Sequence, residues 1–133
     1  MTNLRAVYYR DPNGHEPVRD VIDMQAAEAQ AVLLNQIDRL NLLSDDLPHL
    51  PFPHSSQVDG ELRELRCHYG RAHYRVLYRR SARLLILLHI FAKRSARIPT
   101  SDIQTALNRW EDFKARMNAD PRVPPRAAGG DAP

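Results

Sequence analysis

The stretch Leu84-Leu-Ile-Leu-Leu-His-Ile-Phe91 constrains this chain more than any other. It is apolar at odd and even positions alike, so neither face of an extended strand here suits water. Turn-forming Arg80-Ser-Ala-Arg83 precedes it and Lys93-Arg94 follows closely, leaving too short a run for a buried helix. The pattern predicts a central strand, covered on both sides or nearly so. A chain of 133 residues has room for one domain around it. A domain of that size buries roughly two-thirds of its unfolded surface and needs no staple to fold. Cys67 is the sole cysteine, which excludes an internal disulfide and any Cys-based zinc cluster.

Neighbouring segments supply the rest of a sheet. Leu4–Arg10 alternates and reads as a strand, stopped by Asp11-Pro-Asn-Gly14. Val18, Val21 and Ile22 suit a short helix entered at Pro17. Ala29, Val32, Leu33, Ile37, Leu40 and Leu43 recur at threes and fours on a longer second helix. Ser44 to Gly60 holds Pro48, Pro51 and Pro53 and reads as a loop. In a strand from Glu61 to His68, Arg63, Leu65 and Cys67 share one face; Leu62, Glu64, Arg66 and His68 share the other. Tyr69-Gly-Arg-Ala72 is short enough for a hairpin. The strand His73 to Arg79 then sets Tyr74, Val76 and Tyr78 against His73, Arg75, Leu77 and Arg79. After Pro99, Thr100 or Ser101 can cap a helix with Asp102 in its first turn. Ile103, Ala106, Leu107, Trp110, Phe113 and Met117 form that helix's core face. The expected fold is α+β in the order β-α-α-β-β-β-α: an antiparallel meander with helices packed on one face. One domain spans 1–119, and the Pro/Gly-rich stretch 120–133 is expected to be a disordered tail.

Charge is distributed unevenly along this scaffold. Residues 1–60 carry four basic and nine acidic side chains, a net of −5. Residues 61–97 carry ten basic against two acidic, a net of +8, and the remainder balances. The overall +3 therefore conceals a strongly basic middle third, a pointer to nucleic acid or an acidic partner. The open face of the meander would show Glu64, Arg66, His68, His73, Arg75 and Arg79, with Lys93 and Arg94 at the exit of the next strand. Guanidinium groups bind phosphate oxygens bidentately, so this is anion-binding chemistry. If about five phosphates were neutralised, binding to a single strand would follow salt with a log–log slope of about −3.5.

Within the cluster, nearby positive charge favours a neutral imidazole, so His68 and His73 can be proton acceptors or merely exposed strand residues. His89 reads as a hydrogen-bonded core histidine and Cys67 as a small core residue. His15, His49 and His54 lie in loops without metal-ligand spacing, so no metal or other cofactor is expected. The N-terminal segment lacks an apolar signal stretch and no run is long enough to span a membrane, so a cytoplasmic setting is expected.

Three segments in order carry a resemblance: Leu62-Arg-Glu-Leu-Arg66, Tyr74-Arg-Val-Leu-Tyr78, and Leu88-His-Ile-Phe-Ala-Lys-Arg94 with Ile98-Pro99 before a helix. Together they resemble the phage-derived, HigB-like branch of the RelE/ParE toxin superfamily. The likeness spans about residues 4–117 and is sharpest over 61–110. It implies a small RelE-like toxin fold and a cognate antitoxin, often a helix-turn-helix protein encoded beside it, joined in a hetero-oligomer. It also implies cleavage of mRNA on the ribosome, by metal-free attack of the ribose 2′-OH on its own phosphodiester. Such a substrate must be RNA, since DNA lacks that hydroxyl.

By the same resemblance, Arg66 and Arg75 would bind the scissile phosphate and stabilise transition-state charge. Lys93 and Arg94 would do so from the other side or assist the leaving oxygen, and His68 would be the general base. Arg63, Arg71, His73, Arg79 and Arg97 are the candidate RNA-binding residues around them. Some relatives use a C-terminal tyrosine in acid–base work, whereas this chain has no Tyr after Tyr78. Two alternatives stand beside cleavage. One is a toxin of this fold that binds another target such as DNA gyrase; the other is a non-catalytic RNA-binding module.

Overall fold

The computed structural model describes residues 3–118 and 124–130. Strand β1 (Arg5–Tyr8) leads to helices α1 (Pro17–Asp23) and α2 (Ala27–Leu40). Strands β2 (Ser55–Asp59), β3 (Leu62–Tyr69), β4 (Ala72–Ser81) and β5 (Leu84–Ala92) follow. Helix α3 (Thr100–Met117) and a short β6 (Arg126–Ala127) complete the order. The strands form one six-stranded sheet in the order β2-β3-β4-β5-β1-β6. Only β1 against β5 is parallel among these pairings; the rest are antiparallel. The class is α+β, as the sequence predicts.

The apolar run is central: β5 lies between β4 and β1. Its Leu85 and Leu87 enter a core with Leu33, Ile37 and Leu40 of α2 and Ile22 of α1. Its Ile86 and Leu88 enter a second core with Ala106, Trp110 and Phe113 of α3. The helices therefore cover both faces, and the expectation of helices on one face is corrected. The two-sided character of Leu84–Phe91 is the physical reason, because each apolar face needs its own cover. Helix α3 covers only part of its face, where Leu62, Leu77, Ile86 and Leu88 gather. The β3–β4 end of that face stays open, and the functional candidates project there.

A bulge refines this placement. The β4–β5 register steps from Leu77↔His89 to Tyr78↔Leu87, leaving Leu88 as the extra residue. The step turns His89 toward α3, where Nε2 lies 2.7 Å from Asp102 Oδ1. Arg109 of α3 donates to the Leu88 carbonyl at 2.9 Å. His89 is thus a hydrogen-bonded core histidine, and it ties the first turn of α3 to the sheet. That helix begins at Thr100 after Pro99, and neither Thr100 nor Ser101 caps it.

Two segments depart from expectation. Ser55–Asp59 falls within the expected loop but pairs with β3 as an edge strand, closed by Gly60 at φ +57°. Its prolines end at Pro53, so nothing prevents an edge ladder beyond them. Arg126–Ala127, predicted as disordered tail, pairs with Tyr8 and Val7. Ala128 is fully buried, and its N–H donates to the Ala6 carbonyl at 2.9 Å. Main-chain pairing needs no apolar period, so composition gave no hint of it. Residues 120–123 and 131–133 of the predicted tail lie outside the described residues.

Burial fixes the chemistry of three acids in this core. Cys67 is 3% exposed, and burial pushes its thiol up to about 12, against a smaller opposing pull from Arg75. Burial likewise raises Tyr8, and burial with the hydrogen bond to Asp112 raises Tyr9. Above pH 9 the unfolded thiol, and then the unfolded phenols, release protons that the fold retains. Stability is therefore complete below that pH and falls as pH rises. The urea midpoint is expected to drop between pH 7 and pH 11, and a flat or rising midpoint would contradict this core placement.

Candidate nucleic-acid interface

Antiparallel register brings Arg66 of β3 opposite Arg75 of β4, and His68 opposite His73. All four project from the face that α3 leaves uncovered. Two guanidinium groups side by side repel each other, and a buried carboxylate offsets that repulsion. Glu64 is 2% exposed, directly beneath them. Arg66 Nε donates to Glu64 Oε1 at 2.8 Å, and Ser56 Oγ donates to the same oxygen at 2.9 Å. Arg75 Nε lies 3.4 Å from Glu64 Oε2. The Arg75 guanidinium also donates to the Tyr74 carbonyl at 3.2 Å. Burial holds Arg75 below its ordinary value, with Glu64 pulling it up and Arg66 adding to the decrease. A guanidinium stays charged regardless. Arg75 is thus a desolvated cation, 8% exposed, with unspent affinity for an anion.

The rim is open. The His68 and His73 rings stand 5.8 Å apart, and both residues are exposed. Lys93, at the exit of β5, is half-buried; its backbone N–H donates to the His73 carbonyl at 2.6 Å. A hollow of about 480 Å³ is lined by Arg66, His68, His73 and Arg75 together with Gln36 and His54. An adjoining hollow of about 370 Å³ is lined by His73, Arg75, Lys93 and Arg94. His73 and Arg75 line both hollows; the larger, which also borders Val32, Gln36 and Arg39 of α2, adds Arg66 and His68, and the smaller adds Lys93 and Arg94. Arg97 lines a third hollow, of about 290 Å³, together with Glu64, Arg66 and Lys93. Arg71, Lys93, Arg94 and Arg97 make no ion pair among the described residues.

Other predicted contacts fall elsewhere. Arg63 is on the opposite face, opposite Tyr78, and lines a separate pocket with His49 and Arg80. Its odd position in β3 dictates that, so it is removed from the cleft. Arg79 has the right face but is held by Glu61 at 2.7 Å and lies over Trp110, 4.5 Å from the ring centre. Arg71 sits exposed in the hairpin turn beside Gly70, at the end of the sheet. Trp110 packs with Phe113 as core, as the helical spacing predicts. The anchoring role of Glu64 escaped the sequence reading, which placed it on the open face as one polar residue among several. A lone acid between cations in an alternating strand was the available signal. Among the described residues, no group of three His, Cys, Asp or Glu side chains is placed to hold a metal ion. No helix among them is long and apolar enough to cross a membrane.

The fold and site together define a small α+β domain with a cluster of arginine, lysine and histidine side chains at the open end of its sheet. A family model described as phage derived protein Gp49-like (DUF891) matches residues 20–111. The chain belongs to this Gp49-like family, which is associated with toxin–antitoxin systems. No curated protein matches the chain.

Proposed function

We propose that this chain is the toxin of a toxin–antitoxin pair and cuts mRNA on the ribosome by metal-free 2′-OH attack. The observation that carries this reading is the Arg66–Arg75 pair, fixed on one buried carboxylate and flanked by two facing imidazoles. Two guanidinium groups held this way are preorganised for a phosphorane, whose charge grows in the transition state. The 2′ oxygen bonds to phosphorus as the bond to the 5′ oxygen breaks. His68 takes the 2′ proton and His73 gives one to the departing oxygen, leaving a 2′,3′-cyclic phosphate and a 5′-hydroxyl. An imidazole can serve in either direction near neutral pH. Lys93, Arg94 and Arg97 hold phosphates on either side. The helix-turn-helix antitoxin implied by the HigB-like resemblance would keep the toxin inactive by covering these cations.

Arg79 is committed to Glu61, and Glu64 offsets one of the two central charges. About four phosphates are then neutralised on binding, by Lys93, Arg94, Arg97 and the net charge of the central pair, and the salt slope falls to about −3. Titration of an uncleavable 2′-O-methyl RNA against salt checks this; a slope near zero would remove the cleft from RNA binding. Alanine at His68 or His73 is expected to slow cleavage by about 10²-fold. Both residues are exposed, so the melting temperature should hold. Each variant should also lose one limb of the pH–rate profile, whereas an unchanged profile would exclude proton transfer by that residue. Expression of the chain alone, followed by mapping of message ends and of DNA topology, tests the reading in cells. Cuts within translated messages are expected. Broken or relaxed DNA with intact message would assign the gyrase-type action instead.

A further inference from the structure

Phe52, at 71% exposed, is one of five large apolar side chains left open to solvent among the described residues. Its surroundings set it apart from the other exposed apolar side chains. The Arg66 guanidinium lies over the ring, 4.8 Å from its centre. Phe52 is also carried on a pinned turn. The His54 N–H donates to the Pro51 carbonyl at 2.9 Å, and the Arg66 N–H donates to the His54 carbonyl at 2.8 Å. Gln36 of α2 holds the same junction, donating to the Arg66 carbonyl at 2.9 Å and lying 3.2 Å from His54 Nδ1. The adjacent residues Pro53 and His54 line the cleft that contains Arg66 and Arg75. An aromatic face thus stands at the mouth of the cationic cleft, fixed to the guanidinium proposed to hold a phosphate.

We infer that Phe52 is a stacking platform for an unpaired nucleobase of the bound RNA, next to the phosphate held by Arg66. The inference rests on the proposed RNA-binding role of the cleft and specifies what that cleft recognises beyond charge. In a single strand a base hangs from the ribose beside its phosphate, so a phosphate on Arg66 brings a base within reach of Phe52. Arg66 and Phe52 together offer the two surfaces on which splayed bases stack, a guanidinium plane and an aromatic ring. Base-paired RNA keeps its bases inside the helix and cannot use this platform. The cleft is thereby selective for single strands.

The test compares two anionic probes on wild-type protein, Phe52→Ala and Phe52→Tyr. One probe is an uncleavable 2′-O-methyl RNA hexamer; the other is tripolyphosphate, which has charge and no bases. Phe52→Ala is expected to weaken the hexamer by about tenfold and leave tripolyphosphate unchanged, with Phe52→Tyr close to wild type in both. Unchanged hexamer binding by Phe52→Ala would overturn the inference while leaving the RNA-binding cleft intact. Equal weakening of both probes would overturn it too, since Phe52 would then only prop Arg66. A wild-type protein that ignores the hexamer would overturn the RNA reading itself. Because binding is the readout, a failure of cleavage chemistry leaves this test intact.

Discussion

Arg75→Ala is expected to slow RNA cleavage by about 10²- to 10³-fold while the protein stays folded. The size follows from losing one preorganised donor aimed at charge that develops in the transition state. Arg75 is the donor with most to lose, since its guanidinium is buried beside the cleft and already stripped of water. The fold should survive because Glu64 keeps both its bond from Arg66 at 2.8 Å and its bond from Ser56 at 2.9 Å. Single-turnover cleavage and thermal melting on the same preparation check both halves. A folded Arg75→Ala protein that cuts at the wild-type rate would remove this residue from the chemistry.

Glu64→Gln should be the more damaging change to stability. Glutamine can still accept from Ser56, but it leaves Arg75 enclosed with no counter-charge. Removing one partner of a buried pair costs about 3 kcal/mol or more. In a domain of this length that lowers the melting temperature by about 10 °C. Arg66 has a side chain 31% exposed and recovers part of its loss in water, whereas Arg75 at 10% does not. The coupling has its own check. Adding Arg75→Met to Glu64→Gln removes the stranded charge and should restore most of the lost stability. A double variant no more stable than Glu64→Gln alone would show that the pair is not what holds this part of the sheet.

Much of this arrangement was legible in the sequence because a strand has a strict period of two. Counting along Leu62–His68 and His73–Arg79 put Arg66, His68, His73 and Arg75 on one face, and the register confirms that placement. The double-sided run at Leu84–Phe91 announced a central strand covered twice. The expectation of helices on one face ignored that signal. Other features have no local signature. The bulge at Leu88 that turns His89 toward Asp102 arises from pairing, not from composition. The strand at Arg126–Ala127 is held to the sheet by backbone bonds that any residue can make. Exposure was the hardest quantity to read: Glu64 and Arg75 share the open face yet are nearly enclosed, because Arg66, Ser56 and the chain after β5 close around them. Alternation gives direction, and only the packed neighbours give depth.

Cutting of RNA by internal attack without a metal is the property proposed for the Arg66–Arg75 cleft. Its most direct test is an end analysis of a defined message, incubated with the purified chain and translating ribosomes in excess EDTA. Cuts are expected within the translated region, each leaving a 2′,3′-cyclic phosphate and a 5′-hydroxyl, and forming about 10²- to 10³-fold more slowly with Arg75→Ala. An intact message, or fragments bearing a 5′-phosphate, would contradict it.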